Sequence, residues 1–468
     1  MGNLDLIKFY KSSRFKPAKL KALFCRVALT SSIFISIIAV LLCIVFNLTS
    51  IFVVNKNHSS LSDSRLQSAF LMQFPSQDVE RYYDVEVTRK NHQHPSEYEL
   101  EALQSLDAAL EMLKLGKIER AQKLFEHALA LSPKHPDVLN NYGEFMEYTQ
   151  KDIIHADHLY FKAVTHSPGH SRAILNHRRL AELVEEMDLT TLRRIDKKRD
   201  SVASIPEANS ALRKAKLEAY FQHIYHTVGI EGNTMTLSQT RSVVETKMAI
   251  GGKSIVEHNE ILGLDAALKY INTTLINRIG HITVADILEI HRRVLGFVDP
   301  VEAGTLRRTQ VFVGGHIPPP PSNIPPLMEQ FEKWLNSWEA MRLHPVKYAA
   351  FAHYKLVYLH PFNDGNGRTS RLLMDTILMQ AGYPPVIILK QDRHRYYQMI
   401  ELANEGDIRP FIRYIAECTE RTLDLFIWST SEFSSELPAL ANEIKKSNHE
   451  LRFSHDSLLS DKAIKQEL

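Results

Sequence analysis

The longest run of apolar residues in the chain lies near the N-terminus. No charged residue occurs from Val27 to Val54, and the stretch from Val27 to Phe46 is long enough to cross a bilayer as a helix. Its apolar core is longer than that of a cleaved signal peptide, and no A-x-A cleavage pattern follows it. The pattern predicts an uncleaved signal anchor at residues 27–50. The alternative is a buried core helix, although a soluble helix of this length normally has a polar face.

Basic residues flank this segment unequally. Residues 1–26 contain seven basic residues and one acidic residue, whereas only Lys56 and Arg65 follow the segment closely. The positive-inside rule therefore predicts a cytosolic tail at residues 1–26 and a single-pass type II topology. We expect the rest of the chain to lie in the lumen of the endoplasmic reticulum, because Asn57 and Asn272 begin glycosylation sequons and the terminal KQEL is close to a retrieval signal.

A repeat follows a polar stretch, residues 51–100, that is predicted to be a stalk. Small, aromatic and proline positions recur with an offset of 35 residues, in the pairs Ala121/Ala156, Phe125/Tyr160, Ala128/Ala163 and Pro133/Pro168. The pattern resembles the tetratricopeptide repeat, whose period is 34 residues. It predicts two helix pairs, at residues 101–135 and 136–170, with one residue inserted in a turn. The alternative is two unrelated amphipathic helix pairs.

The rest of the chain is mainly helical in its periodicity, and the predicted fold class is mainly α. Residues 171–205 are highly charged with sparse apolar positions, which predicts a long linker helix. Residues 206–432 are rich in helical patterns, except that Thr309–Val313 is followed by two glycines and then four prolines. That exception predicts a short β-hairpin flap with a rigid exit. Residues 433–468 form a polar tail.

Charge and cysteine content change this picture in only two respects. The formal net charge is +2, from 56 basic and 54 acidic residues, so the chain lacks the basic excess that is typical of nucleic-acid binding. Residues 1–26 alone contribute +6, which leaves a mildly acidic remainder of −4. The chain has three cysteines and no CxxC pair, a pattern that argues against a disulfide scaffold or a cysteine-rich zinc site.

The candidate chemistry lies in one segment, HPFNDGNGRTSR. Its Gly-Asn-Gly run at 365–367 permits a tight turn whose N–H groups can form an anion nest at the start of a helix. Arg368 and Arg371 share a helix face and can grip phosphate oxygens. Asp364 suits a divalent cation that bridges phosphates, and His360 suits a general base. Together these groups describe phosphoryl or nucleotidyl transfer.

The same segment matches HxFx(D/E)GNGRxxR, the motif of the Fic family, at every defined position, and the chain resembles that family. A second segment, TVGIEGN at residues 227–233, looks like the family's inhibitory helix motif [ST]xxxE[GN]. With its anchor, repeats and linker, the chain closely resembles the animal endoplasmic-reticulum members of the family. Those members attach AMP to hydroxyl groups of the lumenal Hsp70 chaperone (BiP) and also remove it. The resemblance implies an all-helical Fic region at residues 206–432, with a core at about 282–417.

The resemblance also implies roles for matching positions, with ATP as the substrate and Mg²⁺ or Mn²⁺ as the cofactor. His360 would deprotonate the target hydroxyl, which attacks the α-phosphate, and Asp364 would hold the metal ion. Glu231 would pair with Arg371, occupy the γ-phosphate position and so inhibit AMP transfer, and it would orient water for AMP removal. The full nucleotide-binding set implied by the resemblance is Glu231, Val313, Gly314, Gly315, His316, Asp364, Gly365, Asn366, Gly367, Arg368, Thr369, Ser370, Arg371, Tyr396, Tyr397 and Asn404.

Partners follow from the same resemblance. In that family the balance of activities is tied to homodimerisation, and Lys253 and Ile255 fall in the matching interface segment. The chaperone is expected to engage the tetratricopeptide repeats, and the flap at 313–316 would register the target's main chain by β-augmentation. Three alternatives stay open: transfer of another phosphate-containing group, a catalytically silent repeat scaffold for chaperones, and a plain surface salt bridge for Glu231.

Overall fold

The computed structural model describes residues 97–278 and 280–431. The predicted cytosolic tail, signal anchor and most of the stalk, with Asn57, lie outside these ranges, as does the polar C-terminal tail. Within the described ranges, no helix has the length and apolar character needed to span a bilayer. The signal anchor at residues 27–50 therefore stays a prediction.

The first four helices form two consecutive pairs: α1 (Glu97–Lys114), α2 (Ile118–Leu131), α3 (Pro136–Phe145) and α4 (Ile153–His166). The small and aromatic residues of the 35-residue pattern are fully buried, namely Ala121, Phe125, Ala128, Ala156, Tyr160 and Ala163. They share one apolar core, in which the ring of Phe125 stacks on that of Tyr142 at 5.5 Å. The pattern thus marks positions where helices meet closely.

The two pairs turn in the same way. Gly116 and Lys151 are 35 residues apart, and both have a left-handed backbone, with φ of 70° and 61°. A π turn over Met146–Gln150 extends α3, and such a turn holds one residue more than an α-helical turn. The observed offset of 35 residues is one longer than the usual period of 34, and the π turn takes up this extra residue at the end of α3. The loop that follows therefore does not need to be longer.

A longer helical region follows. Its helices are α5 (Ser171–Ala203), α6 (Ser210–Ile230), α7 (Leu237–Thr246), α8 (Ile255–Tyr270), α9 (Val284–Leu295), α10 (Ile324–Leu335), α11 (Trp338–Met341), α12 (Pro345–Leu359), α13 (Asn366–Gln380), α14 (Arg393–Asn404) and α15 (Arg409–Thr430). Helix α13 is buried along most of its length, and α6, α9 and α12 pack against it. The prediction of a mainly helical fold is confirmed.

Helix α5 explains why two repeats suffice. At 33 residues it is about 50 Å long, and it packs against both α4 and α15. Two arginine–carboxylate pairs join charged residues of α5 to α15, namely Asp188 with Arg413 and Arg194 with Glu420. A helix whose sequence predicts a solvated linker is therefore packed between the first four helices and the rest of the described chain.

A buried ionic cluster also joins α4 to the start of α15. Asp157 is fully buried and accepts a hydrogen bond from Arg409 at 2.7 Å, while His158 lies 2.9 Å from Asp407. Burial alone would raise the pKa of Asp407, but its hydrogen bonds with His158 and Arg409 outweigh burial and lower that pKa. The first four helices are thus docked on the helices that follow them by charges that are paired rather than solvated.

The predicted hairpin is smaller than expected. Among the described residues, β pairing is limited to one antiparallel bridge, in which Val313 and His316 exchange hydrogen bonds of 3.1 and 3.0 Å. The two glycines between them form the turn. Four prolines at 318–321 follow, and they have no N–H with which a ladder could continue. The segment is therefore a one-bridge flap and not a two-stranded ribbon.

Candidate active site

The loop between α12 and α13 has two left-handed residues at its ends. His360 caps α12 with φ of 47°, and Gly365 precedes α13 with φ of 78°. Glycine adopts this conformation freely, whereas a histidine there is strained. Such strain is typical of functional sites, and here it turns the His360 side chain out of the helix end.

Side chains within and behind the loop hold its shape. The amide of Asn366 both accepts from the N–H of Phe362 at 3.0 Å and donates to its carbonyl at 2.8 Å. Behind the loop, His291 accepts from Gly304 N–H, and its Nε2–H therefore donates to the carbonyl of Asp364 at 2.9 Å. Burial lowers the pKa of His291 to about 4, so its ring is neutral. The loop is thus fixed before any ligand binds.

A carboxylate lies over the start of α13. A Cβ added to Gly367 would stand 2.5 Å from Glu231 Oε1 and 3.2 Å from Arg371 Nη1, so a larger residue here would have to displace this pair. The first N–H groups of a helix have no partner within the helix and carry its positive end. Glu231 therefore occupies the place where this helix would bind an anion.

Arg371 is the partner of that carboxylate. It is 1 % exposed, and its Nη2 donates to Glu231 at 2.6 Å and to the carbonyl of Thr227 at 3.0 Å. Burial alone would lower the pKa of Arg371, but the charge of Glu231 outweighs burial and raises it. The pair joins the end of α6 to the centre of α13.

Arg368 lies one turn earlier on the same helix. It is 3 % exposed and donates to Asp364 at 2.9 Å and to Glu260 at 3.2 Å. In the part of the chain that the structure describes, the buried Nε atoms of both Arg368 and Arg371 have no acceptor. Two such donors beside a helix start fit the oxygens of a polyphosphate.

A metal ion would have one protein carboxylate here. Asp364 has a 67 % exposed side chain that reaches past the helix start. Residues 97–278 and 280–431 contain no group of three or more acidic, histidine or cysteine side chains that could form a metal site. Mg²⁺ in nucleotide sites commonly takes one or two carboxylates and completes its shell with phosphates and water. Asp364 therefore fits a Mg²⁺ that arrives with a nucleotide.

His360 has the protonation state of a base. Its Nδ1–H points to the carbonyl of Val357 at 3.4 Å, which leaves Nε2 as the acceptor. Burial, with a smaller contribution from the nearby charge of Arg307, lowers the pKa of His360 to about 4, although the hydrogen bond to Val357 and the charge of Glu231 oppose this change. The imidazole is therefore neutral at pH 7 and can take a proton from a substrate.

These groups line one cavity of about 790 Å³, within the range of small-molecule sites. Its wall has a phosphate end around Glu231 and Arg371, a flap end at 313–317, and a third side formed by α14. The predicted residues that line it are Glu231, Val313, Gly314, Gly315, His316, His360, Asp364, Gly365, Asn366, Gly367, Arg368, Arg371, Tyr396, Tyr397 and Asn404.

The α14 side is aromatic and rigid. Tyr396 is 1 % exposed, and its hydroxyl forms a 2.8 Å hydrogen bond with His353. The ring of Tyr397 lies 4.9 Å from the guanidinium of Arg393, and Asn404 accepts from Tyr354 at 3.0 Å. A planar base can stack in such a wall.

Two predicted nucleotide-binding residues are not in the cavity. Thr369 and Ser370 are fully buried in α13, and Ser370 Oγ donates to the Asn366 carbonyl at 2.8 Å. Each helical residue turns by about 100°, so positions 367, 368 and 371 share one face while 369 and 370 face the core.

The predicted dimer and glycosylation positions lie at the surface. Ile255 is 62 % exposed, and Asn272 is also exposed. Lys253 donates to the carbonyl and hydroxyl of Thr234 at 3.0 and 2.8 Å. Thr234 is only three residues beyond Glu231, so these hydrogen bonds connect Lys253 to the segment that follows Glu231.

Sequence reasoning did not single out His291, Arg307 or Glu260. Each lies outside the motif, and its partner in the site is more than 50 residues away along the chain. His291 and Arg307 stand beside other basic residues or on an amphipathic helix, where single polar residues are usually solvated. No spacing in one sequence marks these three residues.

Comparisons with known proteins agree with this geometry. Residues 281–378 match the Fic/DOC family. The chain is 63 % identical over 345 residues to the Protein adenylyltransferase Fic of Aedes aegypti, covering 74 % of this chain and 69 % of the relative, and 61 % identical over 354 residues to that of Culex quinquefasciatus, covering 76 % and 71 %.

A solved structure is also similar. Fic-1 of C. elegans (residues 134–508) has a TM-score of 0.64 and 42 % sequence identity, and the match covers 70 % of this chain and 97 % of that one. A glutamate-to-glycine variant of the same protein has a TM-score of 0.65.

Proposed function

Because the chain belongs to the Fic/DOC family, as do its insect relatives that are named protein adenylyltransferase, we propose that it transfers AMP from ATP to hydroxyl groups of proteins and also removes AMP. One observation supports the proposal above all: the Glu231–Arg371 pair lies over the start of α13, in the same cavity as the neutral His360.

In the forward reaction, Nε2 of His360 accepts the proton of a Ser or Thr hydroxyl. The hydroxyl oxygen then forms a bond to the α-phosphorus of ATP, and the bond to the β-phosphate oxygen breaks, so pyrophosphate leaves. The N–H groups at the start of α13, with Arg368, bind phosphate oxygens and hold the reacting atoms in line. Asp364 would hold Mg²⁺, which neutralises phosphate charge.

Glu231 decides between the two directions in this proposal. While it pairs with Arg371, its carboxylate repels the γ-phosphate from that arginine, and transfer is slow. The same carboxylate can orient a water molecule toward the phosphorus of an AMP-protein ester. The water oxygen forms a bond to phosphorus, the P–O bond to the protein side chain breaks, AMP leaves, and a proton from the water restores the side-chain hydroxyl. One side chain thus inhibits AMP transfer and supports AMP removal.

Homodimerisation is the proposed control on Glu231. Lys253 contacts Thr234, and the exposed Ile255 lies two residues after Lys253. Loss of the partner at this surface would loosen the segment that follows Glu231. A ligand or partner can shift the balance only to the extent that it prefers one state of the pair.

The proposed target is the lumenal Hsp70 chaperone, engaged through the repeats. The predicted type II anchor and the exposed sequon at Asn272 support a lumenal location in the endoplasmic reticulum membrane. The docking of the repeats on the catalytic region supports a role in presenting a protein to the cavity.

Labelled ATP tests the function directly. The full-length chain and its Glu231→Gly variant are incubated with Mg²⁺, the lumenal Hsp70 and ATP that is labelled at the α-phosphate. Label should appear on the chaperone with Glu231→Gly and disappear when His360→Ala is added. Label from the γ-phosphate instead would support transfer of a different phosphate group, and no label from either position would support a silent scaffold.

A further inference from the structure

A second buried arginine lies at the flap end of the cavity. Arg307 is 2 % exposed, and its guanidinium donates to three backbone carbonyls: Nε to His360 at 2.7 Å, Nη1 to Thr309 at 3.0 Å and Nη2 to Pro319 at 2.5 Å. Its own backbone N–H donates to the carbonyl of Pro361 at 2.9 Å. One residue therefore contacts the loop after α12 and both sides of the segment that contains the Val313–His316 bridge.

The charge of Arg307 has no carboxylate within ion-pair distance among residues 97–278 and 280–431. Burial lowers the pKa of Arg307, which shows that the protein interior disfavours the cation. A buried charge without a counter-ion is destabilising unless its donors are satisfied. What arginine offers in return is a planar fork of fixed donors, which neither lysine nor a neutral side chain can supply.

The three carbonyls belong to functionally different segments. Thr309 and Pro319 are the two ends of the flap, here defined as residues 309–319, and His360 is the proposed base. Between these ends, the tip of the flap is open to solvent, with Phe312 73 % exposed. A hydrogen bond of 2.9 Å from His316 to the carbonyl of Tyr358 also ties the flap to α12. Both ends of an exposed flap and the catalytic loop thus meet on one guanidinium.

We propose that Arg307 is a positioning residue that fixes the distance between the flap and His360, and so places the target hydroxyl against the base. The proposal rests on the proposed function, in which the flap registers the main chain of the protein target. Arg307 does not contact Glu231, Arg368 or Arg371 and does not line the cavity. Its loss should therefore impair the protein target and leave ATP binding almost unchanged.

The test uses full-length Glu231→Gly as the parent, with Arg307→Met, Arg307→Lys and the exposed neighbour Arg308→Met as a matched control. Arg307→Met should lower kcat for transfer to the Hsp70 by at least about tenfold and raise KM for the Hsp70, because misplacement by about 1 Å is enough for such losses. The dissociation constant for ATP, from calorimetry, should change by less than about twofold. Arg307→Lys should be intermediate, and Arg308→Met should match the parent.

Hydrogen exchange supplies a readout that does not depend on activity. In Arg307→Met, the amides of Val313 and His316 should exchange faster, while those of α13 should keep their protection. Thermal melting shows whether this variant folds; if it does not, Arg307→Lys is compared in the same way.

The proposal is overturned if the kcat and KM of a folded Arg307 variant equal those of the parent. It is equally overturned if ATP affinity falls as much as kcat/KM while exchange in the flap stays the same. Absence of transfer by the parent itself would refute the proposed function, and the exchange result would still decide whether Arg307 couples the flap to the loop.

Discussion

Two buried arginines, Arg371 in the cavity wall and Arg307 behind the flap, differ in what they bind. At the phosphate end, Arg371 donates to a side chain, Glu231, that extends from another helix. At the flap end, Arg307 donates only to backbone carbonyls. A side-chain carboxylate can rotate away and be replaced by a phosphate, whose oxygens can accept the same hydrogen bond from Arg371. Backbone carbonyls cannot leave without a change of fold. We therefore expect the partner of Arg371 to be exchangeable and the partners of Arg307 to be fixed.

The segments around the two ends fit this difference. Glu231 follows the last residue of α6, where Arg393 donates to the carbonyl of Ile230 at 2.7 Å and Lys253 contacts Thr234. These contacts, with the hydrogen bonds from Asn233 and Thr234 to Glu257, hold the segment that follows Glu231, and a partner at the surface can alter them. The catalytic loop, by contrast, is held by Asn366 from within and by His291 from behind. We therefore expect the His360 side chain to stay in place when the Glu231 carboxylate moves.

The largest expected effect comes from substitution of His360, the proposed base. In a Glu231→Gly parent, His360→Ala should lower kcat for AMP transfer by at least about 100-fold, since general-base catalysis contributes about 10²–10⁴. ATP affinity, measured by calorimetry, should stay within about twofold. Single-turnover kinetics separate the chemical step from binding. If the His360→Ala variant transferred AMP at the rate of the parent, another group would be the base, and the contacts that hold His360 in place would have no role in catalysis.

Removal of the carboxylate should release the switch. Glu231→Gly should bind ATP more tightly by roughly tenfold, because a hydrogen bond to a charged group contributes about 1.5–3 kcal/mol. Glu231→Gln is the matched control, since it keeps the side-chain size and loses only the charge. If the glutamine variant binds ATP as weakly as wild type, then the size of the side chain rather than its charge blocks the site. The Glu231–Arg371 ion pair would then not be what excludes ATP.

The pH dependence should reflect the flap end. Burial, with the nearby charge of Arg307, lowers the pKa of His360 to about 4, and Glu231 is the opposing charge. A base must be neutral to act, so kcat/KM of Glu231→Gly should persist as pH falls from 7 to 5 and decline only toward pH 4. In Arg307→Met the decline should begin at a higher pH, because one positive neighbour is gone. Superimposable profiles would show that Arg307 does not act on His360 electrostatically.

The smallest effect is expected at an arginine of a third kind. Arg194 pairs with Glu420 on the surface between α5 and α15, and its side chain is 54 % exposed. Exposed ion pairs typically contribute about 0–1 kcal/mol, since water solvates both partners. Arg194→Met should therefore change the free energy of unfolding by no more than about 1 kcal/mol in urea denaturation. A larger loss would indicate that the linker helix depends on charges as the cavity does.

The sequence predicts what is local. The 35-residue spacing marks the buried residues of both helix pairs, and the HPFNDGNGR segment contains the loop with its base, helix start and arginines. The resemblance to the Fic family is confirmed. Helical rotation also explains why Thr369 and Ser370 drop out of the cavity, although they lie inside the motif.

What the sequence does not predict are contacts between distant segments. The number of β hydrogen bonds in the flap is limited by the prolines at 318–321 and by Arg307, which donates to the carbonyls of Thr309 and Pro319. Glu260 reaches Arg368 only because α8 packs near α13, and 108 residues separate the two. Such partners become visible only when tertiary packing brings segments together.

The dual role of Glu231 can be tested by measuring the rates of AMP transfer and of AMP removal for the same Glu231→Gly substitution, with Hsp70 and AMP-modified Hsp70 as the two substrates. We expect opposite changes, with faster transfer and a loss of removal, because one carboxylate blocks the γ-phosphate position and orients the water. Removal that continues at the wild-type rate, or two rates that change in the same direction, would contradict it.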